Sequence, residues 1–285
     1  MDGNTNIIGI FGNPIEHTAS PAMHTAAFEK LKLNYAYIPF LVHRSKISTA
    51  IESIRALNIK GVNVTAPFKE SVIPYLDNLS IEAKLIGAVN TIKNENGVLT
   101  GYNTDGLGFI ESLKDLSKKF SPKGKKVVII GAGGAARALG ITLAQKKIKE
   151  LTIGDLLENK AKNLAQYIKT KLKINAKGMA PNTQQFYNQA EASDLIINAT
   201  SVGMHPKTGE SPLSNISVIH PRQLVCDLIY NPEQTKFLKL AKHLGAKTQN
   251  GFGMLLYQGV IAFEIFTGKK APVSVMRKAL LKQII

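Results

Sequence analysis

Residues 125–155 read KKVVIIGAGGAARALGITLAQKKIKELTIGD, and this stretch decides the fold. An apolar, β-branched run ends at Gly131, and good helix formers follow from residue 136, which predicts a strand, a tight turn and a helix. A second apolar strand then ends in Asp155. Glycines let the backbone approach a ligand, a helix start offers unpaired N–H groups to a pyrophosphate, and a carboxylate accepts hydrogen bonds from a ribose. The stretch therefore predicts a dinucleotide-binding unit.

The glycine pattern alone is weak, because a corner between a strand and a helix can also need glycines for tight packing. Its third position is Ala136, a variant that the pattern permits. The complete order of strand, glycine turn, helix, strand and acid favours the dinucleotide site over the packing alternative. The residues of this unit expected to bind the cofactor are Gly131, Ala132, Gly133, Gly134, Ala135 and Asp155.

Strand-like and helix-like segments alternate on either side of this unit. Residues 160–171 predict a helix, and residues 194–199 and 224–228 predict buried strands. Such alternation is typical of a doubly wound parallel sheet. With 285 residues, of which 44% are hydrophobic, the chain is long enough for two domains. We therefore expect an α/β protein, with an N-terminal α/β domain and a Rossmann domain.

The chain is strongly basic, since 36 Lys and Arg against 20 Asp and Glu give a net charge of +16. A nucleic-acid surface would need interleaved aromatic or arginine-rich stripes, which the lysine clusters at residues 114–126 and 160–173 lack. We interpret both clusters as solvated helix faces and expect no nucleic-acid partner. The six histidines and Cys226 are not at metal-ligand spacing, so no metal site is expected.

The sequence has no apolar run near the ~20 residues that cross a bilayer, and its N-terminus lacks a signal-peptide pattern. The single cysteine, Cys226, excludes a disulfide within the chain and lies in an apolar run. We therefore expect an inert core thiol, no membrane partner and a cytoplasmic location.

Two hydroxyl groups, those of Thr18 and Ser20, stand at a predicted helix start in front of Pro21. Ser20 can cap this helix with Pro21 in the first helical position, and capping alone would explain the serine. The alternative is that both hydroxyls bind a carboxylate.

A second polar group follows the predicted strand at residues 61–65. Side chains alternate along a strand, so Asn63 and Thr65 should share the face opposite the apolar side chains. Lys69 then lies beyond the carboxyl end of the strand, where α/β sheets bind their ligands. An exposed strand face would explain Asn63 and Thr65, but it would not predict a lysine on the same rim.

A hairpin with its turn at Asn96-Gly97 separates Asn90 from Asp105. Both residues could be turn formers, which is the commonest use of Asn and Asp in such settings. The sharper hypothesis pairs them with Lys69.

Eight groups of motifs follow one another along essentially the whole chain, and their order resembles that of the shikimate dehydrogenase and quinate/shikimate dehydrogenase family. They are Gly12-Asn13-Pro14 with Thr18-x-Ser20-Pro21, NVTAPFKE from Asn63, GAVNT from Gly87, NTDG from Asn103, GAGGAAR from Gly131, NATSVGM from Asn198, DLIYNPEQT from Asp227 and GFGMLLYQ from Gly251.

The resemblance implies a role for each matching residue. Lys69 and Asp105 would be catalytic, and the cofactor site would extend to Thr200 and Gly251. The residues implied for substrate binding are Thr18, Ser20, Asn63, Thr65, Asn90, Tyr230 and Gln258. The implied reaction is the reversible NAD(P)-dependent reduction of 3-dehydroshikimate to shikimate, in the biosynthesis of chorismate and the aromatic amino acids.

Two positions depart from the family pattern. Thr18 stands where the family usually has serine, and its extra methyl group can crowd a carboxylate. Asp155 and its neighbours replace an Asn-Arg-Thr segment of the NADP-using members. A carboxylate repels a 2′-phosphate, so we expect NAD, with NADP as the alternative through the nearby Lys160.

Other readings stay open alongside this one. Quinate is the alternative substrate, and a non-catalytic sensor of a nucleotide or ring acid is the alternative function, because a fold does not fix a function. The presence of both Lys69 and Asp105 favours catalysis. We expect a substrate domain at residues 1–105 and 254–285, an NAD(P) domain at residues 106–253, and a monomer or homodimer that binds shikimate, 3-dehydroshikimate or quinate.

Overall fold

The computed structural model describes residues 1–116 and 120–284. Lys118 and Lys119, which belong to the first lysine cluster, lie outside the described residues. The chain forms two compact units, the first made of Met1–Gly108 with Leu256–Ile285 and the second of Phe109–Leu255.

The first elements in chain order are β1 (Asn6–Gly12), α1 (Ser20–Lys30), β2 (Tyr35–Leu41), α2 (Ile47–Ala56), β3 (Gly61–Val64), β4 (Asn78–Leu79), α3 (Ile81–Ile86), β5 (Thr91–Glu95) and β6 (Val98–Tyr102). The remaining elements are α4 (Asp105–Leu116), β7 (Lys126–Ile130), α5 (Gly134–Gln145), β8 (Glu150–Gly154), α6 (Glu158–Leu172), β9 (Asn175–Met179), α7 (Gln184–Glu191), β10 (Leu195–Asn198), β11 (Leu224–Asp227), α8 (Lys236–His243), β12 (Lys247–Gln249), α9 (Phe252–Thr267) and α10 (Val273–Ile284).

The first unit contains a mixed sheet with the strand order β2-β1-β3-β5-β6-β4. β1 is parallel to β2 and β3, whereas β5 is antiparallel to β3 and β6. The predicted hairpin turn between β5 and β6 is confirmed, because Asn96 and Gly97 have φ angles of 55° and 90°. Two consecutive left-handed residues are what a tight hairpin turn needs. This hairpin brings the residues before β5 and after β6 to the same edge of the sheet.

The second unit contains six parallel strands in the order β12-β11-β10-β7-β8-β9. The chain moves from β7 outward to β9 on one side and from β10 outward to β12 on the other. Sheets of this kind bind ligands at the carboxyl ends of the strands where the direction reverses, here between β7 and β10. The predicted α/β class with a doubly wound parallel sheet is confirmed.

Four elements of the second unit were not predicted from the sequence: β9, α7, α8 and β12. β9 and β12 are the edge strands, and β12 is only three residues long. Edge strands bury less apolar surface than central strands, so their sequences carry polar residues such as Lys247 and Gln249 that hide the strand pattern.

Cys226 is a free thiol buried in β11, which confirms its interpretation as core. Burial raises its pKa and keeps the thiol protonated. Within the described residues, no helix combines the length and the apolar character that crossing a membrane requires. Residues 1–116 and 120–284 also contain no cluster of three or more His, Cys, Asp and Glu side chains able to hold a metal ion.

Candidate active site

The centre of the candidate site is an ion pair between Lys69 and Asp105. Lys69 Nζ donates a hydrogen bond of 2.6 Å to Asp105 Oδ2. The Lys69 side chain is 34% exposed, whereas that of Asp105 is 10% exposed. The other ammonium hydrogens have no partner within the described residues, so they are available to a ligand oxygen. An accessible ammonium held by a buried carboxylate is suited to proton transfer.

Asp105 follows β6 by three positions and is the first residue of α4. Its backbone N–H donates to Asn103 Oδ1 over 3.1 Å, and Asn103 Nδ2 donates to the carbonyl oxygen of Ala88 over 3.0 Å. These bonds anchor the start of α4 to the residues before β5. The carboxylate is therefore held by both its backbone and its side-chain partners.

Asn90 connects this carboxylate to the sheet. Its Nδ2 donates to Asp105 Oδ1 over 2.9 Å and to Thr104 Oγ1 over 3.0 Å. Its Oδ1 accepts from the Thr104 N–H over 2.9 Å and from the Thr91 hydroxyl over 3.0 Å. Both amide hydrogens and the carbonyl oxygen thus have protein partners, so Asn90 is not a simple turn former. Its contact with a substrate stays a prediction.

Asn63 and Thr65 differ in accessibility, although the sequence placed them on one exposed face. Asn63 is buried, and its amide donates to the carbonyl oxygen of Asn90 over 3.1 Å and accepts from the Tyr37 hydroxyl over 2.7 Å. Thr65 is half-buried, and its hydroxyl has no partner in the described part of the chain. The alternative explanation, an exposed strand face, is wrong for Asn63, because β3 is covered on both faces.

Thr18 and Ser20 lie together at the start of α1, but Ser20 does not cap the helix. Ser20 is itself the first helical residue, and Ala19 in the capping position makes no side-chain cap bond. The Ser20 N–H donates to Thr18 Oγ1 over a long 3.4 Å. The capping prediction for Ser20 is therefore wrong, and its hydroxyl is not used by the helix end.

Gln258 and Tyr230 belong to different units. Gln258 lies on α9, whose backbone packs so closely on Gly108 of α4 that a Cβ there would lie 2.5 Å from the Gln258 nitrogen. Gly108 is three positions after Asp105, so Gln258 lies in the same unit as the ion pair and one helical turn from it. Tyr230 follows β11 in the second unit and is 37% exposed.

The glycine turn after β7 has the geometry that its sequence predicted. Gly131 has a φ of 106°, and a Cβ there would lie 3.0 Å from the carbonyl oxygen of Ala199 and from Thr200. A side chain at Gly133 or Gly134 would meet nothing within 4 Å, and α5 begins at Gly134 without a side-chain cap. The space beside the start of α5 is therefore open, and an uncapped helix start with such space fits a pyrophosphate.

Asp155 lies at the end of β8 beside this turn. Its Oδ2 accepts from the Ala132 N–H over 2.8 Å, and its Oδ1 accepts from the Leu157 N–H over 2.9 Å. The carboxylate thus orients the glycine turn as well as carrying the charge expected next to a ribose. Ala135 is half-buried in the first turn of α5.

Gly251 has a clear packing role. A Cβ at Gly251 would overlap the backbone of Leu228, and its N–H donates to the carbonyl oxygen of Ile229 over 3.0 Å. This close approach explains the glycine without a cofactor, and its cofactor role stays a prediction.

Sequence reasoning missed a buried polar cluster between β10 and β11. Asp227 accepts from Asn198 Nδ2 over 3.0 Å and from the Thr235 hydroxyl over 2.7 Å. Burial raises the pKa of Asp227 to about 6. Asn198 Oδ1 in turn accepts from the Thr200 N–H over 3.0 Å, which shapes the loop beside Gly131. The signal was present, since both motifs begin with these residues.

Known proteins match this chain in two parts by family models and over its full length by a curated relative. A family model described as the shikimate dehydrogenase substrate binding domain matches residues 10–92, and one described as the shikimate 5′-dehydrogenase C-terminal domain matches residues 251–281. A curated relative from Desulforamulus reducens, named shikimate dehydrogenase (NADP(+)), is 47% identical over 284 residues, which are 100% of this chain and 97% of the relative.

Two solved structures are similar over nearly the full length. Shikimate 5-dehydrogenase from Listeria monocytogenes, in complex with shikimate and NAD, has a TM-score of 0.94 at 39% identity and covers 98% of this chain and 97% of its own. A shikimate dehydrogenase in complex with NADP+ has a TM-score of 0.92 at 40% identity and covers 100% of this chain and 98% of its own. The relatives thus use or hold both dinucleotides, and the expected preference for NAD gains no support from them.

Proposed function

The chain belongs to the shikimate dehydrogenase family, as its motifs indicated, and on that premise we propose that it reduces 3-dehydroshikimate reversibly to shikimate with a nicotinamide dinucleotide. The observation that carries the proposal is the 2.6 Å bond between Lys69 and Asp105 in the unit that contains the substrate-domain match. A non-catalytic sensor would not require an accessible ammonium held by a buried carboxylate.

The chemistry divides between cofactor and protein. A bound nicotinamide supplies or accepts the hydride. In the direction of reduction, the Lys69 ammonium would donate a hydrogen bond to the carbonyl oxygen and then a proton to the alkoxide that develops there. Asp105 would keep the ammonium aimed at that oxygen. In the direction of oxidation, neutral Lys69 would accept the hydroxyl proton.

The ring acid would be held chiefly by side chains of the first unit. The hydroxyls of Thr18 and Ser20 would bind its carboxylate, and the unpartnered Thr65 hydroxyl would bind a ring hydroxyl. Gln258 would contact the ring from α9. Asn63, Asn90 and Tyr230 complete the proposed set, the first two chiefly by supporting the groups around them.

The second unit would bind the dinucleotide. The open space at Gly133 and Gly134 would take the pyrophosphate, with Gly131, Ala132, Ala135, Thr200 and Gly251 around it. This assigns the predicted substrate role to residues 1–105 and 254–285 and the predicted nucleotide role to residues 106–253.

We propose NAD as the preferred cofactor, in contrast to the curated relative, which is named for NADP(+). The support is the Asp155 carboxylate, whose bond to the Ala132 N–H holds its negative charge at the glycine turn. A 2′-phosphate next to this carboxylate would be repelled. Lys160, in the first turn of α6, is the cation through which NADP could still bind.

A four-way assay tests the proposal. Purified protein is given shikimate or quinate, each with NAD+ or NADP+, and the absorbance of the reduced nicotinamide is followed. Turnover of shikimate supports the proposed function, and a higher kcat/KM for quinate would favour the second candidate, a quinate dehydrogenase. The absence of turnover in all four combinations would contradict both enzymatic functions.

A further inference from the structure

A continuous chain of hydrogen bonds runs inside the first unit from Tyr37 to Asp105. The Tyr37 hydroxyl donates to Asn63 Oδ1 over 2.7 Å, and Asn63 Nδ2 donates to Thr91 Oγ1 over 3.0 Å. The Thr91 hydroxyl donates to Asn90 Oδ1 over 3.0 Å, and Asn90 Nδ2 donates to Asp105 Oδ1 over 2.9 Å. All five residues are buried, and none exposes more than 7% of its whole-residue surface. This series of hydrogen bonds thus connects β2 to the ion pair through β3 and β5.

The direction of these bonds is determined by the available hydrogens. Thr91 has one hydroxyl hydrogen, and because Asn63 donates to its oxygen, that hydrogen is left for Asn90. The Asn63 amide cannot be reversed without facing its oxygen toward the carbonyl oxygen of Asn90, which accepts from Nδ2 over 3.1 Å. Hydrogen bonds aligned in a buried chain polarise and orient one another. Asp105 Oδ1 accepts the last hydrogen bond of this series, and Asp105 Oδ2 accepts the hydrogen bond from Lys69.

The far end of the chain is held by aromatic packing. The Tyr37 ring stacks on the His24 ring with centroids 4.4 Å apart and an interplanar angle of 9°. Neither His24 nitrogen has a hydrogen-bond partner within the described residues, so His24 contributes a flat packing surface. Burial raises the pKa of Tyr37, which keeps its hydroxyl protonated and able to donate.

We propose that Tyr37 and Thr91 are positioning residues for catalysis, which fix the Asp105 carboxylate through Asn63 and Asn90 and thereby aim the Lys69 ammonium. This inference rests on the proposed function of Lys69 and Asp105. Neither Tyr37 nor Thr91 bonds directly to the ion pair, so their effect on it passes through the amides between them. The Tyr37 hydroxyl also interacts with the Ser20 side chain, so the proposal is tested by kcat and not by KM.

A double-mutant cycle tests the chain. Thr91→Val keeps the shape of the side chain and removes its hydroxyl, and Tyr37→Phe keeps the ring on His24 and removes its hydroxyl. Each should lower kcat for shikimate about fivefold to tenfold, the effect of one lost neutral hydrogen bond. Because both hydroxyls act through one chain of hydrogen bonds, the kcat of the double variant should be little lower than that of the slower single variant. Thr91→Ser, which keeps the hydroxyl, should restore kcat to within about twofold of the unmodified protein.

Tyr35→Phe is the matched control, because Tyr35 lies two positions earlier on β2 and packs on Phe28 with ring centroids 5.2 Å apart. It should leave kcat unchanged. Losses that multiply in the double variant, or a Thr91→Ser variant as slow as Thr91→Val, would overturn the proposal.

The free energy of unfolding in urea is also measured for the two single variants and the double variant, because this quantity does not depend on turnover. Coupling between the two substitutions supports the chain, and additive unfolding energies contradict it. An unmodified protein that does not turn over shikimate would contradict the proposed function instead, so the two failures are distinguishable.

Discussion

Lys69 Nζ lies 2.6 Å from Asp105 Oδ2, although 36 positions separate these residues in the chain. The Lys69 carbonyl oxygen also accepts from the Val89 N–H over 2.7 Å, which ties the segment after β3 to the residues before β5. Asn90, next in sequence, then bonds to Asp105. The ion pair is therefore held by the strand pairing of the first sheet and is the first target for mutation.

Replacing Lys69 by alanine should lower kcat for shikimate by a factor of about 10² or more, because general acid–base groups contribute on this scale. The KM for shikimate should change much less, since the lost interaction develops mainly in the transition state. Steady-state kinetics with either dinucleotide measures both constants.

Lys93→Ala is the control for this substitution. Lys93 lies in the same sheet and pairs with Glu95 over 2.7 Å, away from the candidate site. Its kinetics should match those of the unmodified protein. A Lys69→Ala variant with near-normal turnover would remove Lys69 from the chemistry.

Replacing Asp155 by arginine should raise the ratio of kcat/KM for NADP over NAD by about tenfold or more, because a guanidinium pairs with a 2′-phosphate that a carboxylate repels. Glu158→Arg is the control, since Glu158 lies three positions later at the start of α6 and pairs with Lys162. An unchanged ratio in Asp155→Arg would show that Asp155 does not face the ribose.

Replacing Gly108 by alanine should lower the free energy of unfolding by about 1–3 kcal/mol, the usual cost of overpacking. The new Cβ would lie 2.5 Å from the nitrogen and 2.9 Å from the Cα of Gln258, and backbone atoms cannot move aside alone. Urea unfolding measures the loss.

Gly140→Ala provides the comparison for that experiment. Gly140 is also helical and buried, but its new Cβ would lie 2.9 Å from Ile168 Cδ1, the end of a flexible side chain. Both variants gain the better helix propensity of alanine, so the rotation of Ile168 should leave Gly140→Ala more stable than Gly108→Ala. The reverse order would contradict the close packing of Gly108 on Gln258.

The stability of the protein should depend on pH through His24. Burial lowers the pKa of His24 to about 3 from an ordinary 6.5, so the unfolded chain binds a proton between these values that the folded chain does not. This contribution to stability is complete above pH 6.5 and is lost as the pH falls toward 3, at about 1.4 kcal/mol per pH unit. Asp227 has the opposite effect between pH 3.8 and about 6, because burial raises its folded pKa.

The two effects separate in a variant. His24→Phe removes the pH-dependent contribution of His24 to the free energy of unfolding and leaves that of Asp227. The stability of the variant relative to the unmodified protein should therefore rise as the pH falls from 6.5 to 5. Urea unfolding at several pH values measures this difference. A flat difference for His24→Phe would show that His24 can bind a proton in the folded protein.

The sequence predicts the two units unequally. In the second unit, the glycine turn and Asp155 were predictable, because strand, turn and helix patterns are local and residues 125–155 contain all of them. The edge strands β9 and β12 were not predictable, because their few buried positions give little periodicity.

In the first unit, the motifs predicted the pairing of Lys69 with Asp105, but they did not predict its surroundings. Ser20 has the composition of a helix cap and is instead the first helical residue. The alternation in β3 left an exposed strand face as one explanation of Asn63, which is instead buried between Tyr37 and Asn90. Which side of a strand is covered depends on elements distant in the chain, and no local pattern records it.

By itself, the sequence determined the family, the α/β class, the glycine turn with its adjoining acid, and the candidate pair of Lys69 and Asp105, because each depends on neighbouring residues or on ordered motifs. Only the tertiary structure decided that Tyr37 and Thr91 continue the support of Asp105, that Asn90 is already saturated, and that the Asp155 carboxylate holds the glycine turn. Hydrogen bonds between side chains have a range of about 3 Å. Residues far apart in the chain reach that distance only after the strands have paired and the helices have packed.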